Sequence, residues 1–158
     1  MKFYIKRDKT VDDSLFIVFD ENGKEKYFVT GTKDKMIVKD SFDNIIMVIR
    51  YICFSKIKTF SIRHKNNNIK FIIANKKSSS SCYYYGICWR IRGDVFKGSF
   101  DIVDADNTVV ATIGRDFSKF GSNYGLTINH TEMEMFCIGT ALCVNVESKV
   151  DNTLLQTV

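Results

Sequence analysis

Thr131-Glu132-Met133-Glu134-Met135-Phe136-Cys137-Ile138-Gly139-Thr140-Ala141-Leu142-Cys143-Val144-Asn145-Val146 is the last apolar stretch of the chain, and its reading decides the fold. It opens as a capping box: the Thr131 hydroxyl is expected to accept from the third helical amide, and Glu134 to reach back to the cap amide. Two acids in the first turn suit the helix dipole, and Lys149 supplies a cation near the expected C-terminus. Wound at 3.6 residues per turn, the apolar side chains fall on every side, without the polar stripe of a surface helix. A run of about 12 residues is too short to cross a bilayer. Leu142 to Val146 alone would pass for a buried strand, but the cap and the length favour a helix over 131–148. Such a helix must be wrapped, and Gly139 and Ala141 are small enough to let a strand come close.

Only strands are available to wrap it. Turn clusters recur upstream: Asp20-Glu21-Asn22-Gly23, Asp40-Ser41-Phe42-Asp43-Asn44, His64-Lys65-Asn66-Asn67-Asn68 and Asp104-Ala105-Asp106-Asn107. Each lies between two β-branched or aromatic runs, such as Phe16–Phe19 and Tyr27–Val29 or Met36–Val38 and Ile45–Ile49. Asn, Asp and Gly tolerate the positive φ of hairpin turns, so these are four hairpins of a degenerate repeat. Further strands are expected at Phe3–Lys6, Tyr83–Arg92 and Tyr124–Asn129. Lys76 to Ser81 is expected to be an exposed loop. Antiparallel sheet around one greasy helix implies a closed barrel with the helix inside, which also removes exposed sheet edges.

These features together resemble the LURP-one-related family of the tubby-like C-terminal superfamily, to which the phospholipid scramblases also belong. The resemblance rests on the hairpin Phe16–Gly23 and on Trp89-Arg90-Ile91-Arg92-Gly93-Asp94 turning into Phe100-Asp101-Ile102. Val110-Ala111-Thr112-Ile113, the loop Phe117-Ser118-Lys119-Phe120-Gly121 before Tyr124, and the apolar C-terminal helix complete it. It implies a mainly β, tubby-like barrel of about 12 antiparallel strands around the helix, and no enzymatic activity. Superfamily relatives are associated with phosphoinositide binding or lipid movement. No apolar stretch follows residue 146, so a scramblase-type membrane anchor is not expected.

The 158 residues suit a single domain spanning 1–158, with a core large enough to need no staples. The N-terminal Met1-Lys2-Phe3-Tyr4-Ile5-Lys6-Arg7-Asp8 is not a signal peptide, because charges interrupt its apolar run. Without export, the sequon Asn129-His130-Thr131 and the tripeptide Arg92-Gly93-Asp94 carry no function, and a cytoplasmic location is expected, at most peripheral to a membrane. Cys53, Cys82, Cys88, Cys137 and Cys143 lack metal or redox spacing and are read as reduced small hydrophobes.

The charge distribution is the functional signal. Between Asn44 and Gly93 there is no Asp or Glu, while Arg50, Lys56, Lys58, Arg63, Lys65, Lys70, Lys76, Lys77, Arg90 and Arg92 all fall there. If the middle strands are neighbours, they carry a one-signed field. Lys56, Lys58, Arg63, Lys65, Lys70, Arg90 and Arg92 are the candidate lipid- or anion-binding residues, with anionic membrane lipid as the expected ligand. The rival is a protein-interaction barrel whose lysines only solubilise it; a small-ligand carrier or cryptic enzyme ranks below both. Tyr83-Tyr84-Tyr85 and Trp89 interleave with arginines as in base-stacking surfaces, but such aromatics more often build a barrel wall, and nucleic acid is not expected. His64 and His130 have no local catalytic pattern. Asp104-x-Asp106-Asn107 matches the opening of a calcium loop but lacks its glycine and distal glutamate. No catalytic residue, metal or cofactor is expected.

Overall fold

The computed structural model describes residues 1–8, 14–75 and 80–148. Twelve strands form one closed antiparallel barrel. They are β1 (Lys2–Arg7), β2 (Ser14–Phe19), β3 (Glu25–Thr32), β4 (Lys35–Asp40), β5 (Ile45–Phe54), β6 (Ile57–His64), β7 (Asn67–Asn75), β8 (Ser80–Tyr85), β9 (Arg90–Arg92), β10 (Ser99–Val103), β11 (Val109–Gly114) and β12 (Tyr124–Ile128). Every neighbour in sequence is a neighbour in the sheet, and β1 closes the ring on β12 through Phe3↔Leu126 and Tyr4↔Gly125.

Three of the turns use one device. Asp20, Asp40 and Asp104 each accept, at one carboxylate oxygen, the backbone N–H groups two and four residues on, at 2.9–3.0 Å. Three residues after each aspartate, Gly23, Asp43 and Asn107 take positive φ. The aspartate thus satisfies the donors the reversal exposes, and a tolerant residue closes it. This accounts for the repeat read in the sequence, and it also occupies Asp104 of the calcium-like segment. Two reversals carry no such signature: Lys33-Asp34 between β3 and β4, and Ser55-Lys56 between β5 and β6. The segment expected as one strand from Tyr83 to Arg92 is two strands. Residues 86–89 leave the ladder, and Trp89 turns inward to meet Tyr84 edge-on at 5.5 Å. Of the expected loop from Lys76, residues 76–79 lie outside the described residues, and Ser80 and Ser81 open β8.

The helix α1 (Glu134–Glu147) fills the barrel, with Met135 to Asn145 buried without a break. The inward side chains of the wall, among them Met47, Ile49, Phe60, Ile62 and Phe71, join it in one core. A β-carbon at Gly139 would stand 3.0 Å from Ile62 Cγ2, so the wall does approach the helix where its side chain is missing. The helix hydroxyl inside the barrel is satisfied: Thr140 Oγ1 donates to the Phe136 carbonyl at 2.9 Å and lies 2.7 Å from the Tyr84 hydroxyl.

Both helix ends differ from the sequence expectation. Thr131 to Met133 form a 3-10 turn, α1 starts at Glu134, and no side chain caps it. The Glu134 carboxylate does not reach back; it accepts the Tyr27 hydroxyl at 3.1 Å and sits 3.8 Å from Lys26 Nζ, so a tertiary bond replaces the capping box. Lys149 lies outside the described residues. Cations at the C-terminal end come instead from the wall: Arg7 donates to the Asn145 carbonyl at 3.3 Å, and Arg115 donates to the Ser148 hydroxyl. No helix among the described residues is long and apolar enough to cross a membrane.

Candidate functional site

Side chains alternate across a strand, so register decides which basic residues share a face. On the outer wall of β5–β8, Arg50, Ser61, Lys70 and Tyr85 stand opposite one another in a single row, with Lys35 of β4 beside Arg50. The adjacent row toward the β6–β7 turn holds Val48, Arg63 and Asn68. Arg50 and Arg63 flank a shallow depression of about 150 Å³, whose floor includes Val48, Ser61 and Asn68. Ser61 Oγ donates to Asn68 Oδ1 at 2.9 Å across it. Arg50, Lys56, Arg63, Lys65 and Lys70 are exposed and have no ion-pair partner among the described residues.

The row on the other side, Ile52, Thr59, Ile72 and Tyr83, is apolar but for the Thr59 and Tyr83 hydroxyls. Beyond it lie Phe54, Ile57 and Ala74. Phe54 is 82% exposed, Ile52 69% and Tyr85 70%, and Ile57 and Tyr83 are each about half exposed. Scattered apolar residues on a surface need no explanation, but contiguous ones bordered by charge mark an interaction site. The wall therefore presents an apolar end and a basic middle.

The seven basic residues singled out from the sequence divide. Arg63 and Lys70 lie on the basic wall; Lys56 sits in the turn at its apolar end, and Lys65 in the turn at the opposite end. Lys58 is inward, 2.6 Å from Glu147 at the end of α1. Arg92 pairs with Asp101 at 2.7 Å, and this guanidinium, with the Thr112 hydroxyl, holds the Asp101 carboxyl below the usual carboxylate range. Arg90 donates to Asn107 Oδ1. Arg50, absent from those seven, belongs to the wall. Its parity with Ile52, opposite to that of buried Met47 and Ile49, is the signal that identifies it. Lys58 shares parity with Phe60 and Ile62, which marks it as inward. The apolar end had no signal, because an outward Ile or Phe reads as core.

Elsewhere the chemistry is structural. His64 donates through Nδ1 to the Ile46 carbonyl at 2.7 Å, and its ring meets Phe136 edge-on. It borders a cavity of about 340 Å³ at the barrel mouth with Lys65, Glu132 and Phe136. Tyr84 and Trp89 are buried, so the aromatic run is wall, with only Tyr83 and Tyr85 outside. The five cysteines read as reduced small hydrophobes are all free thiols among the described residues; Cys137 and Cys143 are buried, Cys82 is half-buried, and Cys53 and Cys88 are exposed. Burial, with a smaller contribution from neighbouring acids, pushes the Cys82 and Cys137 thiols up to about 12.

Residues 1–145 match the family described as LURP-one-related. No curated protein matches the chain. Among solved structures, the chain is similar to an X-ray structure of a protein from Arabidopsis thaliana. The identity is 14%, 92% of this chain and 90% of that one are covered, and the TM-score is 0.57. At that identity the likeness concerns the fold.

Proposed function

Because the chain belongs to the LURP-one-related family, we propose that it is a non-catalytic binding module that docks on anionic membrane lipid through the outer wall of β5–β8. The observation that carries this reading is the row Arg50–Ser61–Lys70 with Arg63 beside it, cationic and unpaired among the described residues, next to an exposed apolar row. Solubility alone calls for lysines interspersed with acids; residues 45–92 contain no acid. Three guanidinium or ammonium groups on one wall attract an anionic headgroup layer at about 1 kcal/mol each. The helix already occupies the barrel interior, which leaves the outer wall as the binding surface. The cytoplasmic leaflet, where anionic lipids concentrate, is the membrane surface this wall fits.

Co-sedimentation with vesicles of increasing phosphatidylserine content tests the reading. Binding should rise with anionic fraction and fall with added salt. Replacing Arg50, Arg63 and Lys70 together by Ser should weaken it roughly 100-fold. Binding indifferent to lipid charge and to salt would remove the lipid role and assign the wall to a protein partner.

A further inference from the structure

The apolar end of this wall has a geometry of its own. At about 6.8 Å between same-face rows along a strand, the row of Ile52 and Tyr83 stands one step from Arg50 and Lys70. The row of Phe54 and Ile57 stands two steps away, about 14 Å from the basic row. Phe54 is 82% exposed where β5 ends, before a two-residue turn, and Lys56 in that turn has a long stem whose ammonium can return to the polar layer. Interfacial protein elements bury their apolar face about 5–10 Å into the boundary between headgroups and acyl chains. That depth takes in the two apolar rows and leaves the Arg50–Lys70 row at the level of the phosphates. An unpaired cationic row directly behind an exposed apolar one is complementary to a bilayer, which presents anions above hydrocarbon in the same order.

The geometry points to the β5–β6 hairpin end, Ile52, Phe54 and Ile57, as a wedge that inserts into the acyl boundary of an anionic membrane, with Arg50 and Lys70 on the headgroups behind it. The inference rests on the wall being a membrane face and adds which end enters. It makes binding depend on lipid packing as well as on charge.

The test uses the full chain carrying Phe54→Trp. The native Trp89 is buried against Tyr84 and gives a constant background. With mixed phosphatidylcholine–phosphatidylserine vesicles, emission from position 54 should shift to the blue. It should also be quenched by lipids brominated near the headgroup end of the acyl chain. The triple variant Ile52→Ser, Phe54→Ser, Ile57→Ser alters only exposed side chains and should keep the wild-type melting temperature. It should bind the same vesicles at least about tenfold more weakly, with the salt dependence unchanged. Wild-type protein that fails to sediment with the vesicles overturns both the wedge and the membrane reading. Protein that sediments while position 54 stays unshifted and unquenched, or while the triple variant binds equally well, overturns the wedge and leaves the charged wall standing. A blue shift that appears without vesicles and grows with protein concentration assigns the apolar end to contact between copies and also overturns the wedge.

Discussion

Glu147 shows how a basic residue that looks functional in the sequence becomes structural in the fold. Its side chain is 1% exposed at the end of α1, with Lys33 Nζ at 2.5 Å from one oxygen and Lys58 Nζ at 2.6 Å from the other. Lys33 also stands 4.6 Å from the centre of the Tyr51 ring. Burial alone would raise the Glu147 pKa, but the hydrogen bonds and charges of the two lysines outweigh it and hold the carboxyl below its usual value. A carboxyl depressed in the folded state contributes stability that is fully present above its unfolded pKa, about 4.3. That contribution is lost as pH falls through the lower folded value. Glu147→Gln leaves Lys58 inside without its counter-charge. Breaking a buried pair costs about 3–5 kcal/mol, and the exposure of Lys33 reduces this to roughly 2–3 kcal/mol at neutral pH. Urea unfolding across a pH series should show the wild type losing stability below about pH 4, and the variant starting lower with a shallower acid limb. Asp40 and Asp101, whose carboxyls are also depressed, supply the slope that remains. A variant that unfolds at the wild-type urea midpoint at neutral pH would show that the lysine pair contributes nothing.

At the scale of elements, the helix and the wall are fitted to each other at Gly139. A β-carbon there would meet Ile62 Cγ2, the branch methyl of a stiff β-branched side chain, at 3.0 Å, and Met47 Sδ, in a flexible one, at 3.3 Å. Gly139→Ala therefore sets a gain in helix propensity of about 1 kcal/mol against a small shift of the wall, and is expected to be near neutral. Gly139→Val pushes two more methyl groups into β5 and β6 and should cost about 2–3 kcal/mol, lowering the melting temperature by roughly 5–10 °C. An unchanged melting temperature for the valine variant would mean that the helix and these strands do not touch so closely. The greasy helix and the Asp-led hairpins were legible because their chemistry is local: a carboxylate capping its own turn needs nothing distant. The reversals at Lys33-Asp34 and Ser55-Lys56 were not, because no Asn-Gly or Asp-Gly pair marks them, and Ser55 adopts φ +60° in a context set by its strands. The capping box failed for a similar reason. Glu134 had a distant partner in Tyr27, on a strand more than 100 residues earlier in the chain. The basic cluster was legible as composition, but its division between wall, helix end and cross-strand pairs depends on register, which only the closed barrel fixes.

The whole molecule is a ring closed by its first and last strands around an element that comes later still in the chain. β1 pairs with β12, and the N-terminal ammonium lies 3.2 Å from the Ile128 carbonyl, so the ring is complete at residue 128 without the helix. Its interior is not. Phe136, Ile138, Leu142 and Val144 are all buried there, and at about 1.5–3 kcal/mol each their burial amounts to roughly 6–12 kcal/mol. The net stability of a domain is about 5–15 kcal/mol, so these four side chains alone are comparable to all of it. A chain of residues 1–130 would also leave Ile62 and Phe71 facing an empty lumen. It is expected to collapse without a unique structure: near-native far-ultraviolet circular dichroism, no cooperative thermal transition, and strong binding of a hydrophobic dye. Calorimetry of the truncated chain beside the full one decides the matter. A single sharp unfolding endotherm from residues 1–130 would show that the strands specify the barrel by themselves and that the helix only occupies it. Its loss would show that the barrel depends on the segment that fills it.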